Sequence, residues 1–176
     1  MDRSKTNVVY VRGDARVHRG LEALGYRIHV VTPPAAAGGC DREVAERVAA
    51  AGTQLEQLHP GSTSVFVGAA GDAALTHAAA LVEARGRGAV LVCPVLRPGE
   101  EASPLAALWE RAPAGSSRRG VAYGTCDERA AAWPSSAPAA WEGRTTAVGV
   151  YAGHELCRSV DVRLLDHLIQ STSTRR

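Results

Sequence analysis

The stretch Val65-Phe66-Val67-Gly68-Ala69-Ala70-Gly71-Asp72 is an apolar run that breaks abruptly into small residues. A nucleophile elbow needs this steric character, because the chain turns sharply between strand and helix around the reactive residue. In a G-x-S-x-G elbow the central residue is serine; here it is Ala70, and alanine cannot attack a carbonyl. A plain tight turn reads the same residues without any chemistry, since small-residue turns are common in α/β folds. If the turn is an elbow, Gly68 opens it and Ala70 is the vacant nucleophile position. The backbone amide of Gly71, at a helix amino terminus, could still polarise a carbonyl as half of an oxyanion hole.

Other candidates lie elsewhere in the chain. His154, in Gly153-His154, carries an imidazole that titrates near neutral pH and suits general acid/base work. Its plain alternative is a hydrogen bond to a neighbouring loop. Asp127 could orient His154 as in a triad, or be a turn aspartate ahead of Glu128 and Arg129. Asp72 falls in the first turn of a helix, where the dipole favours a carboxylate; beside the vacant position it is also a candidate base. Cys93 could be a displaced nucleophile only with a lowered pKa or a nearby base, and a buried thiol is the plainer reading. Arg12 and Arg16 could steer an anionic substrate. Trp133, with Trp109 and Trp141, could line an apolar cleft or simply pack.

These residues must be positioned by the elements around them. Short apolar runs at Asn7–Val11, Tyr26–Thr32, Ser64–Val67, Ala89–Val92, Val121–Tyr123 and Thr146–Tyr151 read as strands. Between them, helical spacing predicts helices over Val17–Leu24 with Gly25 as C-cap, over Asp41–Leu58 with Val44, Val48, Ala51 and Leu55 on one face, and over Ala73–Ala84. A closing helix is predicted over Ser159–Ile169, with Val162, Leu165 and Ile169 inward. Residues 97–119 are rich in Pro, Gly and Ser around one short amphipathic piece, Leu105–Trp109. Strands alternating with helices, and apolar throughout, predict one α/β domain over residues 1–176. Its core would be a mostly parallel, twisted sheet of about six strands with helices on both faces. Ligands bind such sheets outside the carboxyl ends of the strands. There lie the loops Arg12–Arg16, Gly68–Asp72, Cys93–Arg97, Gly124–Arg129 and Gly153-His154.

Gly68–Glu83, Ala89–Pro94, Tyr123–Trp141 and Thr146–Leu156, in that order, resemble the thioesterase domains of modular polyketide synthases, which have the α/β-hydrolase fold. The likeness is greatest after residue 60. There a loop with Trp133-Pro134, a second tryptophan at Trp141 and the run Val148-Gly149-Val150-Tyr151-Ala152-Gly153-His154 follow one another. The resemblance implies that His154 stands where the family carries its general base. Three departures accompany it: the family's serine position holds Ala70, the glycine two residues later is Asp72, and its triad aspartate corresponds to Cys93. The helical lid expected between Cys93 and Val121 is reduced to a short Pro/Gly-rich stretch. An engineered Ser→Ala change would account for Ala70 but for none of the others, so the departures read as natural.

Composition narrows the remaining choices. The net charge of +2, with arginines spread along the chain, gives no footprint for a nucleic acid. No apolar run is long enough to span a membrane, and the start has no signal-peptide core, so a cytoplasmic protein is expected. Cys40, Cys93, Cys126 and Cys157 form no CxxC pair and match no zinc pattern; free thiols, no metal and no cofactor are expected. Two functions fit. In one, an enzyme binds a polyketide or related acyl intermediate and uses His154, with Asp72 or Asp127, for cyclisation, dehydration or isomerisation without an acyl-enzyme. In the other, a non-catalytic relative binds an acyl carrier protein or synthase, or forms a homodimer through apolar surface left open. An ordinary thioesterase inactivated at position 70 comes third.

Overall fold

The computed structural model describes residues 2–11, 14–31, 41–69, 87–93, 119–127, 145–153 and 155–172. In chain order the described elements are β1 (Thr6–Val11), α1 (Ala15–Ala23), β2 (Arg27–Val31), α2 (Asp41–Leu58) and β3 (Thr63–Ala69). They continue with β4 (Gly88–Val92), β5 (Arg119–Gly124), β6 (Thr145–Val150), a single turn α3 (Leu156–Ser159) and α4 (Val162–Thr172). The predicted helix over 73–84 and the loop at 97–118 lie outside the described residues, as do Arg12, Ala70, Gly71, Asp72, Trp109, Trp133, Trp141 and His154.

All six strands pair in parallel, in the order β2-β1-β3-β4-β5-β6. In a strand, successive side chains alternate between faces. On one face Val8, Tyr10, Val65, Val67, Val90, Val92 and Ala122 join Val17 and Leu21 of α1 and Leu165, Leu168 and Ile169 of α4 in one core. The opposite face holds Ser64, whose hydroxyl donates to the Gly52 carbonyl of α2 at 3.0 Å. The sheet is thus covered on both faces, and every described residue of β4 is buried. Burial on both sides is why the inner strands read as continuous apolar runs, while the edge strands β2 and β6 are part-exposed.

Helix boundaries depart from the sequence reading where polar side chains intervene. The Asp14 carboxylate accepts from the Arg16 amide and caps α1, which starts two residues before its first buried residue, Val17. Gly25, at φ +97°, follows the helix as expected. On α2 the buried stripe is Val48, Ala49 and Gly52, with Ala51 and Leu55 half-buried, because Gly52 lies directly on Ser64. The closing helix begins at Val162 rather than Ser159. Asp161 accepts from the Arg163 amide there, so the chain makes a separate turn before α4. The buried residues of α4 are Leu165, Leu168, Ile169 and Thr172, while Val162 is partly buried.

At the amino edge of the sheet, α4 is tied to the start of the chain. Nε and Nη2 of Arg3 each donate to Asp166 at 2.8 Å, and the Tyr26 hydroxyl donates to the same carboxylate at 2.6 Å. The Arg3 bonds hold the Asp166 carboxyl well below the usual carboxylate range. Burial, then the bond to Asp166, pushes the Tyr26 phenol up. Asp166→Ala is expected to destabilise the protein at pH 7 by about 1–2 kcal/mol, the smaller end reflecting the partial exposure of the network. Because the folded carboxyl is the stronger acid, this contribution is present above its unfolded pKa of about 3.9 and fades as the pH falls further. Urea midpoints of both proteins from pH 7 to pH 2.5 check this; a gap unchanged across that range would contradict it.

Candidate functional site

The carboxyl ends of β5 and β6 are stitched together more closely than strand pairing alone requires. The Thr125 amide donates to the Val150 carbonyl at 2.9 Å, and the Cys126 amide to the Ala152 carbonyl at 3.0 Å. The Thr125 hydroxyl adds a longer bond to Val150 at 3.3 Å. The Asp127 amide closes the turn on the Gly124 carbonyl at 3.2 Å. The pairing therefore continues past the strand ends into two loops, one carrying Asp127 and the other leading through Gly153 to residue 154. Gly124 makes the approach possible: a Cβ there would stand 2.5 Å from the Ala152 carbonyl oxygen and 2.7 Å from that of Gly153. Real Cβ atoms do not come so close to backbone oxygen.

Asp127 is only 7% exposed, so this turn residue is buried rather than solvated. On the far side of position 154 the chain is held as well. The Gly153 amide donates to Oε1 of Glu155 at 2.9 Å, and the Leu156 amide donates to the Gly153 carbonyl at 3.2 Å.

Gly68 lies in β3, buried between Val11 of β1 and Leu91 of β4. It sits in the central strands at their carboxyl end, where a vacant elbow is expected. Cys93 follows β4, buried, with its amide donating to the Ala122 carbonyl at 2.7 Å. Its φ of +50° is the left-handed region, uncommon for a residue with a side chain. Full burial argues for a packed thiol at this strand end. Neither Cys93, which is buried, nor Cys126, which is exposed, is in a disulfide.

Arg16 is paired with a neighbouring carboxylate, with its side chain 78% exposed. Its Nη2 meets Asp14 at 2.9 Å, and this bond both lowers the Asp14 carboxyl and raises the guanidinium. Asp14 and Arg16 also edge a cleft of about 290 Å³ with Arg158, Ser159 and Asp161, between the start of α1 and the α3–α4 corner. Nearby on β1, Tyr10 packs edge-on against His18 with ring centroids 4.8 Å apart. Burial, with the Asp14 charge adding to it, pushes its phenol up to about 12, so Tyr10 stays neutral at physiological pH.

Two contributors to the site were not among the sequence candidates. Gly124 follows Tyr123 with no turn signature, and Glu155 is one acidic residue among many. A carboxylate next to a candidate histidine was the only available hint. Among the described residues no group of His, Cys, Asp and Glu gathers as a metal site would require. Nor, among them, is any helix long and apolar enough to cross a membrane.

No protein-family model matches the chain, and no curated protein does. Among solved structures, the crystal structure of a predicted CIB-like hydrolase from Thermoplasma acidophilum is similar, with a TM-score of 0.63 and 13% sequence identity. The likeness covers 96% of this chain and 87% of that one. At that identity it is a likeness of architecture, and it agrees with the six-stranded parallel sheet and its helices on both faces. This chain has an α/β-hydrolase-like fold.

Proposed function

We infer that this protein is an acid/base catalyst built on a hydrolase-like fold, acting on a carbonyl-bearing acyl intermediate without forming an acyl-enzyme. The observation that supports this reading most is the stitched junction of the β5 and β6 loops, which brings a buried Asp127 to the segment leading into His154. A carboxylate hydrogen-bonded to an imidazole orients the base and stabilises its protonated form, and Asp127 would do this for His154. With alanine at position 70, that pair is left without a serine to activate. Removing a proton next to a carbonyl and returning it elsewhere is what remains, which covers cyclisation, dehydration and isomerisation. The order of motifs in the second half of the chain favours a polyketide as the intermediate, free or held on an acyl carrier protein.

The test is product profiling of the organism with the gene deleted, then complemented with wild type or with His154→Ala. Wild type is expected to restore the product, while His154→Ala accumulates an uncyclised or isomeric intermediate whose structure names the reaction. Equal rescue by both would remove His154 from the chemistry and favour a protein that acts by binding a carrier or synthase.

A further inference from the structure

Both α1 and the α3–α4 corner follow parallel strands, so the cleft between them opens at the carboxyl end of the sheet, where such sheets take ligands. Its floor is apolar: Val17 and Val160 are buried and Val162 is partly buried. The floor is also fixed in place, because Val162 sits so close on α1 that a Cβ at Gly20 would meet its Cγ2 at 2.6 Å. Charged side chains of both signs surround this floor. Asp14 and Arg16 neutralise each other through their bond at 2.9 Å. Arg158 and Asp161 do not: among the described residues neither belongs to an ion pair, with the other or with a third group. Asp161 is nonetheless held, since its Oδ1 accepts the Arg163 amide at 2.6 Å. Its second oxygen and the Arg158 guanidinium are left to edge one small cleft with their charges uncompensated.

That charge pattern decides between ligand classes. An inorganic anion would meet two carboxylates, and the Arg16 and Arg163 amides, which the helix starts would offer it, already donate to Asp14 and Asp161. A simple cation would meet two guanidinium groups. A molecule with both charges a few bonds apart and an apolar body fits: its carboxylate takes Arg158, its ammonium takes Asp161, and its side chain lies on the valines. We propose that the cleft binds a free α-amino acid with an aliphatic side chain, held by Arg158 and Asp161 over Val17, Val160 and Val162. Its volume of about 290 Å³ is ample for a ligand of that size. The proposal uses neither Asp127 nor His154, so it does not rest on the acid/base reading.

The experiment follows the backbone amides of the full chain by NMR while L-leucine, N-acetyl-L-leucine or isoamylamine is added. L-leucine is expected to shift the amides of the cleft residues with a Kd of about 1 mM, modest because the cleft is open. The other two compounds each lack one charge and should bind at least about tenfold more weakly. Asp161→Asn keeps the oxygen that caps α4 and removes only the charge, while Arg158→Gln removes the guanidinium. Each should weaken L-leucine binding about tenfold, with the melting temperature nearly unchanged. An absence of shifts with L-leucine, equal binding of all three compounds, or undiminished binding in either variant would overturn the proposal.

Discussion

Gly124→Ala should lower stability by about 2–5 kcal/mol and disorder the loop that leads to His154. The added methyl would meet the Ala152 carbonyl oxygen at 2.5 Å, the Gly153 oxygen at 2.7 Å and the Ala152 carbonyl carbon at 3.2 Å. All three are backbone atoms, so no side chain can rotate out of the way. Gly124 has no positive φ, so alanine suits the backbone itself and the whole penalty is steric. The β6 loop must retreat by most of an ångström, which strains the bonds from Thr125 to Val150 and from Cys126 to Ala152. Losing part of two hydrogen bonds on top of the overpacking gives the estimated range. Gly61 is the control: at φ +82° with nothing within 4 Å, its change to alanine strains the backbone without any clash. That strain alone should cost about 1 kcal/mol. Urea unfolding measures both variants. A Gly124→Ala protein within 1 kcal/mol of wild type would mean that the loops are not locked together.

The second large effect belongs to the core. Leu168 is fully buried on the inner face of α4, over β4 and β5, and Gly120 beneath it brings no side chain of its own. Leu168→Ala should therefore cost about 3–5 kcal/mol, the upper part of the range for buried leucines. A sheet paired on both sides cannot collapse into the space, so most of the cavity persists. Leu164, on the same helix but only partly buried, should cost about 1 kcal/mol when changed to alanine. Denaturant midpoints at constant slope check the contrast. Equal losses at the two positions would show that α4 does not pack in the observed orientation. The Gly153 amide should exchange as in wild type in both variants, which separates damage to the core from damage to the loops.

The two effects mark different levels of organisation. Leu168 carries a burial term that any well-packed helix on a sheet would carry. Gly124 couples that fold to the candidate site, because the strand pairing of β5 and β6 runs on into the loops of Asp127 and residue 154. A hydrolase-like fold that has alanine at position 70 still keeps this coupling. That is the reason for testing the acid/base reading before the purely binding one.

Much of the architecture is local and was legible in the amino-acid sequence. Strands buried on both faces must be apolar along their length, so Val65–Val67, Ala89–Val92 and their counterparts announced themselves. The helices α1 and α2 followed from apolar spacing, and Gly25 marked the end of the first. Asp161 moved the start of α4 because a capping side chain competes with helical periodicity, and periodicity alone does not see it. The tertiary structure decided what depends on distant residues meeting. Arg3 and Asp166 lie 163 residues apart, and no spacing rule connects them. Asp127 closes a turn, as its sequence suggests, but its burial shows only in the folded chain. Glycines 124 and 153 are explained only by the carbonyls and the carboxylate that lie against them, and the pairing of Arg16 with Asp14 shows only in the folded chain. Sequence determines the elements because burial and capping act over a few residues. The site belongs to the tertiary structure because its contacts close loops of tens of residues, and only the packed sheet brings their ends together.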